Sequence, residues 1–309
     1  MSAPVATPPA ASPSGSRRIF ESRSLRFGSF VARPEDPGFA ESGQPTHHLI
    51  VFPRRSVCIE REDAAPFVAD STCVTLYNLG DRYRRRAVSP AGDACEWLAV
   101  APHLLVELVA TFDPTAVDRV DRPFPVPRIA VDAAALAVQR TALRQLASGE
   151  AEPVYLEETL LGVARTVVRS LFGGAVASPP SAGVAAAARH VAECVARLAE
   201  ERLDDCLSLQ RIADEVGCSP FHLCRLFKQA TGSTLHAWLL QVRLRRSLEL
   251  IAESTADLTS VALDLGFASH SHFTNAFRRT FGMPPSTFRR TANGRSIRAL
   301  ATRAPSALS

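Results

Sequence analysis

The chain has 309 residues, 46% of them hydrophobic, which is enough for two ordinary domains with packed cores. Charged residues interrupt every apolar stretch before it reaches the roughly 20 residues of a membrane-spanning helix, and residues 1–15 carry no apolar segment behind a basic start, so we expect a cytoplasmic protein with no membrane partner. The net charge is only +4, but residues 221–309 hold twelve Lys and Arg against four Asp and Glu, an asymmetry that suits a nucleic-acid module attached to a neutral or acidic sensor.

Residues 1–18 are rich in Pro, Ala and Ser and are expected to form a disordered tail. Short apolar or alternating runs follow at 24–31, 47–52, 56–60, 72–77 and 95–100, with Pro, Gly, Asn and Asp between them. Many short strands at close spacing predict a small barrel or sandwich. The run Tyr83-Arg84-Arg85-Arg86 reads either as an anion site or as a solvated strand edge guarded by charge. His47 and His48 are adjacent, so on one strand they would point to opposite faces and not share a metal. We therefore expect no metal, no cofactor and no catalytic residue, and hence not an enzyme.

Two helices should come next, over residues 131–147 and 154–172. In the second, Leu156, Leu160, Val163, Val167 and Leu171 form a stripe that would either pack on the strands or pair two subunits. Residues 173–183 are small, Gly-rich and broken by Pro, and read as a linker. Residues 291–309 show no periodic pattern and are expected to be a flexible tail.

Between the linker and that tail one pattern is written twice. Ile212-Ala213 matches Val261-Ala262, and Val216-Gly217 matches Leu265-Gly266, at an offset of 49. Beyond the turn the offset is 50, where Leu223, Phe227, Lys228, Gly232 and Trp238 match Phe273, Phe277, Arg278, Gly282 and Phe288. Each copy reads as a short helix with a small inner Ala, a Gly where left-handed backbone ends that helix, a Ser cap, and a second helix with apolar residues at i, i+3 and i+4. Ser219 precedes Pro220, which suits a helix start, and Ser269 plays the capping part in the second copy. One copy would suit an ordinary helical hairpin. Two, with basic outer faces, predict a pair of helix-turn-helix units that bind double-stranded DNA.

The stretch Ser219-Pro220-Phe221-His222-Leu223-Cys224-Arg225-Leu226-Phe227-Lys228 resembles the AraC/XylS family of bacterial transcription regulators. So does the block from Gly266 through Phe281-Gly282 to Pro284-Pro285 and Phe288-Arg289. The resemblance covers residues 184–290 and implies an all-α DNA-binding domain whose two helix-turn-helix units are joined by one long helix, here 234–253. Leu235, Trp238, Leu239, Val242, Leu248 and Ile251 would be its apolar face, and Arg243, Arg245 and Arg246 its basic one. It also implies recognition helices in two successive major grooves. The first would present Phe221, His222, Cys224, Arg225 and Lys228; the second, His270, Ser271, His272, Thr274, Asn275 and Arg278. Arg225 suits guanine and Asn275 adenine, while Lys228, Arg278 and Arg279 suit phosphates. Cys224 stands where a polar reader is expected, and is either an ordinary reduced thiol or a redox handle.

The expected fold class is thus α+β in two domains. Residues 19–172 form an effector and dimerisation domain, which the resemblance makes a cupin-like β-barrel with trailing helices. Metal cupins carry an HxH pair followed by Glu, and that pattern is missing. The implied function is a ligand-responsive regulator, an activator by the family's usual outcome, with DNA, RNA polymerase, an unknown small-molecule effector and a second copy of itself as partners. A cupin-type metal enzyme fused to a DNA-binding domain is the alternative. A DNA-repair methyl acceptor, which can carry a similar DNA-binding half, would need a nucleophilic Cys and zinc-binding cysteines in contexts that none of the seven cysteines provides. On the linker reading, residues 1–183 are dispensable for folding of the DNA-binding domain.

Overall fold

A computed structural model describes residues 15–42, 44–130, 133–148, 152–173, 182–202, 207–253 and 255–292. The strands are β1 Gly15–Glu21, β2 Leu25–Ala32, β3 Glu41–Ser42, β4 Leu49–Pro53, β5 Val57–Arg61, β6 Phe67–Ala69, β7 Cys73–Tyr77, β8 Tyr83–Ala87, β9 Asp93–Val100 and β10 Arg128–Ala130. They form two antiparallel sheets, one in the order β1-β2-β9-β4-β7-β10 and one in the order β3-β8-β5-β6. The longest ladder joins β2 to β9, from Leu25 opposite Val100 to Ala32 opposite Asp93.

Alternation along the strands divides the large sheet into two working faces. On β9, Asp93, Cys95, Trp97 and Ala99 line a cavity between the sheets, whereas Leu98 and Val100 enter the core on the opposite side. On β4, Leu49 and Val51 line the cavity while Ile50 and Phe52 enter that core. Helices α1 Pro102–Ala110, α2 Ala133–Ser148 and α3 Pro153–Gly173 also contribute to this core. The α3 stripe from Leu156 to Leu171 is buried there, and α3 touches β9, β10, α1 and α2. That stripe is used inside the chain and is not left to pair subunits.

Several expectations need correction. Strand β1 begins at Gly15 and pairs with β2, so residues 15–18 are ladder and not tail. Residues 1–14, 174–181 and 293–309 lie outside the described residues; α10 reaches Ala292. The sheets do not close into a barrel. Strands β3 and β6 have two and three residues, and the ladder breaks at the Asp70–Cys73 turn, where β6 ends the small sheet and β7 enters the large one. Strand β8 is not an edge, because it lies between β3 and β5. Its half-buried Arg85 pairs with Asp93 at 3.1 Å and lies over Phe30, and its Arg86 grips Glu193. His47 and His48 lie in the turn before β4, where His48 is buried and accepts the Leu79 N–H at 3.1 Å.

The C-terminal helices are α4 Ala182–Glu201, α5 Leu209–Val216, α6 Pro220–Thr231, α7 Leu235–Glu253, α8 Leu258–Asp264, α9 His270–Phe281 and α10 Pro285–Ala292. They are served by two cores. One collects α4, α5, α6 and the first half of α7, from Val191 through Ile212 and Phe227 to Trp238. The other collects Leu244, Leu248, Ile251, Val261, Phe273, Phe277 and Phe288, and it is continuous with the core beneath the large sheet. A boundary at residue 183 therefore cuts through shared apolar packing, because α2 lies on the other side of it.

The three arginines of α7 do not form a basic outer face. Arg245 is buried and donates to the Ser71 carbonyl at 2.5 Å, and burial lowers its pKa to about 10. Arg246 bonds Glu249, and the Arg243 guanidinium packs against Gly266. Glu249 is 6% exposed and sits in a cluster assembled from both domains. Its Oε1 meets Arg54 Nε at 2.9 Å and Arg140 Nη2 at 3.0 Å. The same two arginines reach Glu96 of β9, at 3.5 and 2.9 Å. Burial pushes the Glu249 carboxyl up, but Arg140, Arg54 and Arg246 outweigh it and hold its pKa at about 2. A carboxyl depressed in the folded state stabilises above its unfolded value, here 4.5, and loses that contribution as pH falls through about 2. We expect acid titration of stability, followed by urea unfolding at fixed pH values, to show a loss across this window that Glu249→Gln lacks.

Candidate nucleic-acid interface

Each reading helix is placed by a short sequence of local devices. In the first unit, Ser208 caps α5 by accepting the Arg211 N–H, and Gly217 ends it at φ 74°. Ser219 then caps α6 by accepting the His222 N–H at 3.2 Å, with Pro220 as the first helical residue. In the second unit, Asp257 caps α8, Gly266 has φ 72°, and Ser269 caps α9 by accepting the His272 N–H at 3.1 Å. The Asp257 carboxylate is held below its ordinary pKa by its hydrogen bonds to Thr259. Ala213 and Ala262 are wholly buried, which lets the second helix cross close to the first. Gly232 and Gly282 then end α6 and α9 in left-handed backbone, at φ 75° and 74°.

Packing repeats as faithfully as capping. Leu223, Leu226 and Phe227 are buried on α6, and Phe273, Ala276 and Phe277 on α9. Phe227 meets Trp238 at 5.3 Å between ring centroids, and Phe277 meets Phe288 at 5.8 Å. The two aromatic pairs are offset by 50 residues, like the stripes themselves.

With those positions buried, the expected readers are turned outward. On α6, Phe221 is 82% exposed, Arg225 and Lys228 are exposed, and His222 and Cys224 are half-buried. On α9, His270, Ser271, His272, Asn275, Arg278 and Arg279 are exposed and Thr274 is half-buried. Contacts between them tune how each is presented. Arg225 Nη2 lies 3.2 Å from His222 Nδ1, one turn earlier. Thr274 Oγ1 lies 3.5 Å from His270 Nε2. The His272 ring packs edge-on against Phe267 at 5.4 Å, which ties it to the turn. Lys228, Arg278 and Arg279 stand in the last turns of their helices, where cations also complement the helix dipole.

Among the other described thiols, Cys58 and Cys95 are buried and Cys73, Cys194 and Cys218 are half-buried. Burial raises Cys58 and Cys73 to about 12 and also pushes Cys95 well above its ordinary value, so these are not thiolates near neutral pH. Arg54, Arg140 and Glu249, which join the N-terminal part to α7, escaped sequence reasoning. Arg54 lies in the loop after β4, Arg140 on α2 and Glu249 on α7, and no local spacing links them.

This arrangement of paired caps, matching left-handed glycines and two outward helices defines a DNA-binding domain with two helix-turn-helix units. A helix-turn-helix domain model matches residues 212–291. The regulatory protein PocR of Salmonella typhimurium is 33% identical over 100 residues, 32% of this chain and 33% of PocR. The bifunctional transcriptional activator/DNA repair enzyme Ada of Escherichia coli is 38% identical over 92 residues, 30% of this chain and 26% of Ada. A transcriptional regulator of Chromobacterium violaceum, described as having an AraC-type DNA-binding domain, is 31% identical over 35% of this chain and 95% of its own, with a TM-score of 0.32. The matches to PocR and Ada span about a quarter to a third of those relatives. Residues 212–291 thus form a helix-turn-helix domain similar to the DNA-binding domains of AraC/XylS-type transcription regulators.

The caps generate a direct expectation. Ser219→Ala and Ser269→Ala should each cost about 1 kcal/mol of stability, because an orphan helix N–H loses its acceptor. Urea unfolding of the two variants checks this, and the paired losses should be similar.

Proposed function

We propose that this DNA-binding regulator reads specific promoter sequences through both units, with α6 and α9 in two successive major grooves. The observation that carries this reading is the repeat itself. Burial fixes the same three positions of each helix fifty residues apart, and leaves base-reading residue types at the same outward positions. Arg225, propped by His222, is suited to a bidentate contact with guanine, and Asn275 to adenine. Phe221, exposed at the start of α6, suits apolar contact with a thymine methyl. His222, Cys224, His270, Ser271, His272 and Thr274 complete the reading faces, and Lys228, Arg278 and Arg279 hold phosphates.

The N-terminal part would act as a cupin-like sensor. Its cavity between the sheets has a volume of about 510 Å³, which suits a small molecule. Trp97, Phe30, Tyr77 and Tyr83 supply aromatic walls, and Leu49, Val51, Val57 and Ile59 aliphatic ones. Arg26 and His47 bring polar groups to the same cavity. Burial lowers the His47 pKa, and Arg26 beside it adds to the effect. The protein would work in the cytoplasm and activate transcription by contacting RNA polymerase. A homodimer, which the family resemblance implies, would need a surface other than the α3 stripe.

The alternative of a metal enzyme fused to this domain asks for a ligand set in the cavity. Among the described residues no three of His, Cys, Asp and Glu are grouped to hold a metal. We therefore propose a regulator and not an enzyme. Metal analysis of the purified protein checks this, and a stoichiometric, tightly held metal would overturn it.

In vitro selection from random duplexes at a stated salt concentration should return two motifs about one helical turn apart. On the selected site, Arg225→Ala should weaken binding by about 1–3 kcal/mol and relax preference at one base pair. Equal weakening on every sequence would make Arg225 a phosphate contact. An effector in the cavity should shift Trp97 fluorescence, and Trp97→Phe should remove that shift.

A further inference from the structure

Helix α2 lies on the N-terminal side of the segment that reads as a linker, yet most of its neighbours lie on the other side. Ala135, Leu136, Ala137, Gln139, Arg140, Thr141 and Ala142 are all buried. At about 100° per residue these positions point in every direction, so α2 is enclosed over residues 135–142 and not merely laid on a surface. It touches α3 on one side and α7, α9 and α10 on the other. Leu136, Ala137 and Ala142 share one core with Ile50 and Leu98 of the large sheet and with Phe273, Phe277 and Phe288 of the second unit.

The first unit is built differently. Its core is closed by α4, which packs along α6, and Val68 is the only fully buried apolar residue of the N-terminal strands in it among the described residues. It meets the N-terminal part mainly through polar contacts, such as Trp238 to Asp70 at 3.0 Å and Arg86 to Glu193. The second unit has no counterpart of α4 between itself and the sheets, and α2 fills that place. The Arg140 of α2 then reaches Glu249 of α7 at 3.0 Å while holding Glu96 of β9 at 2.9 Å. Glu96 is flanked on its strand by Cys95 and Trp97, which line the cavity.

We propose that α2 is an integral part of the second helix-turn-helix unit, and that Arg140 and Glu249 are positioning residues that set the direction in which α9 meets DNA. The N-terminal domain is then a component of the second reading head and not a detachable sensor. Strand β9, with the cavity on one face and Glu96 on the other, is the element through which cavity occupancy would be felt by α9.

The test uses the full chain with Arg140→Leu, Glu249→Gln and the double variant. Glu249→Gln keeps the side-chain volume, and thermal melts identify which variants remain folded. Hydrogen–deuterium exchange should show lost protection in α9 and α10 with α6 unchanged. On a selected two-motif site, hydroxyl-radical footprints should fade over the motif read by α9 and persist over the other. Affinity should fall about tenfold, with the double variant no worse than the weaker single one. A duplex holding only the α6 motif should bind all variants within about twofold of the parent. Equal loss of protection in α6 and α9, or no change in either, would overturn the proposal. The footprint arm rests on the two-groove reading above; the exchange arm does not. A parent footprint over one motif alone would defeat that reading and leave the exchange result to decide this one.

Discussion

Glu249 is a carboxylate almost without water, and three guanidinium groups hold it charged. Two of them, from Arg54 and Arg140, come from the other half of the chain, so the buried charge of this acid is compensated only when both halves are in place. Removing two charges from water costs several kcal/mol per ion, and an imperfect geometry does not recover it. The cluster is therefore a weak source of net stability but a strict condition on geometry. A displacement of α7 against the sheet would leave buried charge uncompensated. The surrounding apolar core, continuous from Leu98 through Leu136 to Phe277, supplies the stabilisation that the ions do not.

The two helix-turn-helix units show how one local design is used twice in different surroundings. Caps, glycines, inner alanines and buried stripes agree between them nearly residue for residue. What differs is what each is packed against. The first rests on α4 and keeps a core of its own, whereas the second merges with the core beneath the large sheet. An aromatic chain through Phe267, Phe273, Phe277 and Phe281, with successive centroids 4.5–5.6 Å apart, fills the space there. In the first unit Leu223 stands where Phe273 stands in the second, in a core whose aromatic members include Phe227 and Trp238.

The large sheet makes this union possible because both of its faces are occupied. A sheet with one face in water would show polar residues at alternate positions; β4 and β9 instead carry mostly apolar ones throughout. One face encloses the cavity and the other supports the helices. Gly28 marks how closely the cavity face is packed, since a Cβ there would lie 2.4 Å from the Trp97 ring and 2.5 Å from the Arg17 carbonyl. Position 28 is thus restricted to glycine by the approach of an indole and a neighbouring strand.

The DNA-binding units were legible in the sequence because their determinants are local. A Ser before a helix, a Gly after it and apolar residues at i, i+3 and i+4 act within a dozen residues, so periodicity and spacing record them. Helices α2 and α3 were legible for the same reason. What lay beyond the sequence was decided by partners far away in the chain. Arg245 read as part of a basic face, but the Ser71 carbonyl draws it into the structure, while Arg246 stays exposed and pairs with Glu249. Arg85 read as an anion site or an edge charge, but Asp93 and Phe30 enclose it within a paired strand. The residues after Gly15 looked like tail by composition, and β2 pairs them into a sheet. The α3 stripe left its partner open, and the core shared by α1, α2 and the large sheet took it. A sequence specifies which faces are apolar and where helices begin and end; which face meets which depends on long-range contacts that carry no local signature.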